Sequence, residues 1–299
     1  MPNWITNKLK FSGKSDDIES LLNRVRSVSD DGSENLFDFE KIIPMPATLH
    51  ITAGSATDYG IAVLLFRESG DASKLLPVLS YPWVKAEGIV TPEALADYLV
   101  EKGTANLIDG KKALENEKLY GATDWYEWSC KHWGTKWNSA YASSDSPKEM
   151  TFDTAWSSPF PVIEKLSKMF PKVKITLRFA DEDFGQNCGE IVFKAGNTVE
   201  ENIPEGGSPE AVILAGEVKG MDLNSYIDYY GDTDSEEWAT SLIIALMAKF
   251  DHKEIVESAV DYESVSTTFL EALKVGLLIM QDYELCAKVD AKIKELGED

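Results

Sequence analysis

The residues best equipped for chemistry are concentrated in one stretch, 121–138, Gly-Ala-Thr-Asp-Trp-Tyr-Glu-Trp-Ser-Cys-Lys-His-Trp-Gly-Thr-Lys-Trp-Asn. It holds four of the eight tryptophans: Trp125, Trp128, Trp133 and Trp137. Aromatic rings beside an ammonium and a carboxamide can stack a base or sugar while the polar groups fix its edge. Trp133, Lys136, Trp137 and Asn138 are therefore candidate ligand-binding residues. Tryptophan also buries about 150–250 Å² and dominates cores, so the stretch reads equally as the keystone of a core. The ordinary burial of such rings favours the core. The two readings are compatible if only Lys136 and Asn138 reach the surface.

Other reactive groups are scattered. His50, His132 and His252 lie in three separate regions, and Cys130, Cys188 and Cys286 form no metal-type or redox-type pair. His132 and Cys130 are two apart, a spacing that a helix does not bring face to face. Asp181, Glu182 and Asp183 could offer oxygen ligands to a divalent cation. Their spacing fits no EF-hand, and a solvated turn is the ordinary reading. No phosphate-binding Gly-rich loop, nucleophile elbow or dinucleotide fingerprint is present. The expectation is a chain with no metal, no cofactor and no catalytic set.

Charge is the largest global signal. The chain has 29 basic and 51 acidic residues, a net charge of −22. From Asn197 to Asp299 there are 23 acidic and 7 basic residues, or −16, leaving −6 for the first 196. Nucleic-acid affinity rests on Lys and Arg displacing counterions, so direct binding by the last third is disfavoured. The acid can serve as a solubilising surface or as a face that attracts a basic partner. Glu236, Glu237, Glu254, Glu257, Asp261 and Glu263 are the candidate partner-binding residues. Three distant cysteines, no apolar run of about 18 residues and no apolar leader at the N-terminus point to a cytoplasmic protein with no membrane span.

The elements that must carry these residues follow from periodicity. Ile5, Asn7, Leu9 and Phe11 alternate with Thr6, Lys8 and Lys10, which predicts a strand. Ser15 can cap a helix bearing Ile18, Leu21, Leu22 and Val25. A loop is expected at 29–34 and a second strand near Leu36–Ile43, ended by Pro44 and Pro46. Residues 47–120 have helical spacing, with Thr91-Pro92-Glu93 as a helix start, and read as an insertion. Trp125 and Trp128 share a helix face, and Gly134 stops that helix. A hairpin is expected over 136–143 and 149–156, then a helix after Ser158-Pro159. The clearest strand has Val173, Ile175, Leu177 and Phe179 inside, and a last strand is expected at 190–194.

This order implies an α+β fold, a ferredoxin-like antiparallel sheet with helices on one face. The expected domains are 1–195 with the insertion at about 47–120, a linker or irregular segment at 196–232, and an acidic helical region at 233–299. In that last region Phe269, Leu273, Leu277, Met280, Leu285, Val289, Ile293 and Leu296 form one apolar stripe. It reads as an internal helical hairpin or as a self-association surface.

Several strings carry a family resemblance: Met1-Pro2-Asn3-Trp4, Ile42-Ile43-Pro44-Met45-Pro46, Asp124-Trp125-Tyr126, Trp133-Gly134-Thr135-Lys136-Trp137-Asn138, and Thr154-Ala155-Trp156-Ser157-Ser158-Pro159 followed by Pro161-Val162. In this order, over roughly 1–195, they resemble the YubB-type "ferredoxin-like" family of plasmids, prophages and phages. The chain departs from that pattern at 179–185, Phe-Ala-Asp-Glu-Asp-Phe-Gly, where the family has an aromatic-acid-glycine turn. Its insertion and acidic tail are also longer. The resemblance implies a fold and a mobile-element setting, and it transfers no catalytic residue.

The expected function is non-enzymatic: a mobile-element, phage-type protein that binds and inhibits a host protein. The expected target is a nuclease-type or other defence component with a basic, nucleic-acid-handling surface, and an anti-Gabija-type inhibitor is one concrete form of this reading. A homo-oligomer through the C-terminal helices is a further expectation. The alternative is a small-ligand binder or enzyme with a Trp-lined pocket at Trp133–Asn138. Single-strand nucleic-acid binding by the sheet is a third, weaker reading.

Overall fold

Strand β1 (Trp4–Ser12) takes the alternation literally: Ile5, Asn7, Leu9 and Phe11 are buried, and the side chains between them are not. The computed structural model describes residues 3–28 and 32–297. Met1 and Pro2 of the first quoted string, and residues 29–31 of the expected loop, lie outside them. The helices are α1 (Ser15–Val25), α2 (Ser55–Ser69), α3 (Leu76–Leu79), α4 (Pro82–Ala86), α5 (Pro92–Glu101), α6 (Leu107–Tyr120), α7 (Trp125–His132) and α8 (Phe160–Met169). After the sheet come α9 (Pro209–Lys219), α10 (Leu223–Tyr230), α11 (Glu236–Met247), α12 (His252–Asp261), α13 (Thr267–Ile279) and α14 (Tyr283–Gly297). The chain forms two compact units. One holds Met1–Phe37, Ser139–Ser158 and Ile163–Asp299; the other holds Asp38–Asn138 and Pro159–Val162.

The first unit is built on a sheet. Strands β2 (Ser27–Val28) and β3 (Glu34–Asn35) pair only with each other. Strands β4 (Ala140–Ser146), β5 (Glu149–Ala155), β6 (Lys174–Asp181), β7 (Cys188–Lys194) and β8 (Asn197–Asn202) join β1 in the order β4-β5-β1-β6-β7-β8. Every neighbouring pair is antiparallel. With α1 after β1 and α8 between β5 and β6, the four strands β4-β5-β1-β6 have the interleaved split βαβ arrangement. The β7–β8 hairpin extends it. One face buries Ile5, Leu9, Phe11, Phe152, Ile175 and Leu177. Helix α1 supplies a matching stripe, Ile18, Leu21, Leu22 and Val25. The α+β, ferredoxin-like reading is what the chain adopts.

Two local expectations are corrected. No strand forms across 36–43. Phe37 and Phe39 alternate, but the Asp38 carboxylate accepts from the Glu40 N–H at 3.0 Å and starts a 3₁₀ turn, Phe39–Lys41. The segment 196–232, expected to be a linker, carries β8, α9 and α10. Ser208 caps α9 and Pro209 opens it, a start signal masked by the Gly- and Glu-rich residues before it.

Helix α9 also modifies the one-faced picture. Ala211, Leu214, Ala215 and Val218 pack with Ala180 and Cys188 of the sheet. Lys8, whose side chain points away from the buried face, donates to the Glu217 carbonyl at 3.2 Å. So α9 covers part of the second face. Val212, on the same helix, joins the core of α10–α14. A helix apolar all round is a buried helix, and α9 is buried on two sides. The C-terminal stripe is divided by a turn at Gln281, φ 62°. Phe269, Leu273 and Leu277 on α13, and Leu285 and Val289 on α14, are buried, while Met280 at the turn is exposed. Ile293 and Leu296 pack partly buried on the same core.

The second unit is helical. Helices α2 and α6 cross closely enough that a Cβ on Gly60 would lie 2.1 Å from the Asn106 carbonyl oxygen. Glycine is required at that crossing.

Candidate functional site

The Trp-rich stretch is held at both ends. Asp124 caps α7, accepting from the N–H groups of Tyr126 at 2.9 Å and Glu127 at 3.1 Å. Glu127 in turn accepts from the N–H of Thr123, the residue before the cap, at 2.8 Å. The helix stops at Trp133, followed by Gly134 with φ 78°. Trp128 and Trp133 are buried and meet edge to face, centroids 5.6 Å apart. Phe39 meets Trp133 in the same way at 5.8 Å, and His132 stacks on Trp128 at 4.5 Å. The Trp133 indole N–H donates to the Ile43 carbonyl at 2.9 Å.

The proposed ligand-binding groups are engaged within the chain. Asn138 donates to the Asp38 carboxylate at 2.7 Å and accepts from the Phe39 N–H at 2.8 Å. The Lys136 ammonium lies over the Trp137 ring at 4.6 Å and the Tyr126 ring at 5.6 Å. Trp133 is in the core, and Trp137 is 37% exposed. Burial, then the neighbouring Lys131, holds the His132 imidazole below its ordinary pKa. The acidic turn is also structural. Asp181 is buried and accepts from Asn3 at 3.4 Å, the Asp183 N–H at 3.0 Å and Asn187 at 3.1 Å. Among the described residues no group of three or more His, Cys, Asp and Glu is placed to hold a metal ion.

The acidic candidates divide differently. Glu254, Glu257 and Asp261 lie on α12, at spacings of three and four, which one helix face collects. The other face of α12 buries Ile255, Val256 and Ala259. Helix α10 lies alongside, tied by Ser258 donating to Asn224 at 2.6 Å and the Tyr262 hydroxyl donating to the Asp228 carbonyl at 3.0 Å. Between them runs a groove of ≈ 650 Å³ lined by Asp228, Glu257, Asp261 and Glu263. A second groove of ≈ 410 Å³ adds Asp222 and Glu254 along the same side. Neither lining contains Lys or Arg. The nearest base is Lys253, 3.7 Å from Glu257. Hydrogen bonds from Ser225 hold the Asp222 carboxyl below its usual range, so it stays charged.

Glu236 and Glu237 stand apart from these grooves, in the first turn of α11. Asp222 and Asp228 were missing from the sequence reading. They come from α10, some 30 residues before α12, and no spacing rule links the two helices.

Residues 132–222 match the family described as a ferredoxin-like domain in Api92-like protein. The match opens at the end of α7, takes in β4–β8 and α8, and closes after α9. It therefore runs past residue 195 and includes α9, which packs on the sheet. No curated protein matches the chain. Among solved structures, a crystal structure of a protein Api92 from Yersinia pseudotuberculosis is similar at 13% identity. It covers 69% of this chain and 99% of that one, with a TM-score of 0.34. Among the described residues no helix is long and apolar enough to cross a membrane.

Proposed function

We propose that the chain is a binding protein whose α10–α12 face takes a basic protein partner. The observation that carries this is the convergence of Asp222, Asp228, Glu254, Glu257, Asp261 and Glu263 on adjoining grooves without a lining base. Placing like charges together costs stability, which a complementary cationic surface offsets on binding. Carboxylates at a groove rim steer association and set partner choice. The YubB-type resemblance adds a mobile-element setting. In that setting the partner is a host protein with a nucleic-acid-handling surface, such as a nuclease-type defence complex, and binding inhibits it. Glu236 and Glu237 would then contribute long-range steering and make no groove contact.

The test is affinity enrichment from a bacterial host lysate, run in parallel with wild type and with Glu257→Lys/Asp261→Lys/Glu263→Lys. A basic, nucleic-acid-handling protein enriched by wild type and lost with the triple variant is the expected result. Enrichment that is absent, or unchanged by the triple variant, would overturn the proposal.

A further inference from the structure

The second face of the sheet gathers bases, with acids among them. Helix α9 covers it near Ala180 and Cys188 and leaves the other end open. There, β1 presents Lys8 and Lys10, and β6 presents Lys174 and Arg178. They surround a cleft of ≈ 510 Å³, whose lining also includes Thr151 and Thr176. In register, Lys8 stands directly opposite Arg178. Like charges directly opposite are destabilising in a sheet. On its other side Arg178 stands opposite Glu190, so the uncompensated charge of this pair rests on Lys8.

The lining's acids, Glu149, Glu190 and Glu217, are unevenly shared among its four bases, and two of them converge on Arg178. Arg178 is held by Glu190 and Glu217, and Lys249 also pairs with Glu217. Lys8 reaches only a main-chain carbonyl, that of Glu217. Among the described residues Lys10 and Lys174 have no ion pair within 4 Å. Glu149, opposite Lys10 in register, is the remaining acid of the lining.

We propose that this cleft binds a compact, multiply charged phosphoryl anion, gripped by Lys8, Lys10 and Lys174 with Thr176 as a hydroxyl donor. Arg178, fixed by its two carboxylates, positions the wall. The lining has no aromatic side chain, so it offers no platform on which a base could stack. The chain's charge of −22 repels an extended polyanion, while a small one can be held by the local cluster. A volume of this order suits a small molecule.

The experiment is calorimetric titration of the full chain with inorganic tripolyphosphate at low ionic strength. Saturable one-site binding is expected, weakened about tenfold or more in Lys10→Gln/Lys174→Gln. Lys174→Arg, which keeps the charge, should retain most of the affinity that Lys174→Gln loses. Lys148→Gln, outside the cleft, should leave it unchanged. Retained thermal transitions in each variant exclude unfolding as the cause. No saturable binding, or equal weakening by Lys148→Gln, overturns the proposal. Tighter binding of an oligothymidylate at the same lysines also overturns it, in favour of a strand-binding face.

Discussion

The Trp-rich stretch and the α10–α12 face make opposite use of their polar groups. In the stretch, Asn138, Lys136 and the Trp133 indole are each engaged inside the chain. On the α10–α12 face no base lines the grooves, and of their carboxylates Glu257 has an ion pair, with Lys253 on its own helix, while Asp222 caps α10. A cluster of chemically capable residues is thus a poor guide to function until their partners are known. Satisfied groups build the molecule, and groups left facing solvent are available to something else.

The contrast can be broken by substitutions at each end of it. The largest effect should come from Trp133→Ala. It removes a buried ring packed on Trp128 and Phe39, together with a hydrogen bond to Ile43. A loss of about 3–5 kcal/mol is expected in chemical denaturation. A loss below about 1 kcal/mol would mean the ring is dispensable to the core.

A smaller effect concerns pH. His132 is held below its ordinary pKa of 6.5, so the unfolded chain takes the proton first as pH falls. Stability contributed here is present above about pH 6.5 and is lost as pH falls from that value toward the folded pKa. Burial raises Glu40 and Asp58, which act in the opposite sense at lower pH. The comparison must therefore be with His132→Phe. The stability advantage of wild type over that variant should shrink between about pH 7.5 and 5.5, by under about 1 kcal/mol after solvent screening. A constant difference across that range would remove the imidazole from the account.

The smallest effect belongs to the acidic face. Glu257→Gln/Asp261→Asn should change stability by no more than about 0.5 kcal/mol, with a sign toward stabilisation as repulsion is relieved. A marked loss in thermal unfolding would show that these carboxylates serve the fold, and would dissolve the contrast.

Much of the sheet was legible in the chain. Alternation at 5–11 and 173–179 marks β1 and β6, because one face is buried and the other is not. The same logic hid β8, where all six residues are exposed and no alternation exists. It misled at Phe37 and Phe39, where a side-chain cap on Asp38 overrode the pattern. Helix α9 escaped for the opposite reason. Buried against both the sheet and the helical core, Ala211–Val218 has no polar face to reveal its period. At the candidate site, the α12 carboxylates could be read from spacing. The contribution of α10 depends on tertiary packing and could not. The basic cleft was invisible because its lysines come from strands more than 160 residues apart.

The position of β1 has a consequence for how the chain is made. It is a central strand, yet its partners lie far downstream: Asn7 donates to the Phe152 carbonyl across a separation of 145 residues. The intervening residues 38–138 form a unit of nearly continuous chain. During synthesis from the N-terminus, that insertion can close on itself while β1 still waits for β5 and β6. A folded insertion also brings the two ends of the sheet sequence together, replacing a long flexible loop with a short rigid one. The insertion can thus close before the sheet on either side of it in sequence is complete.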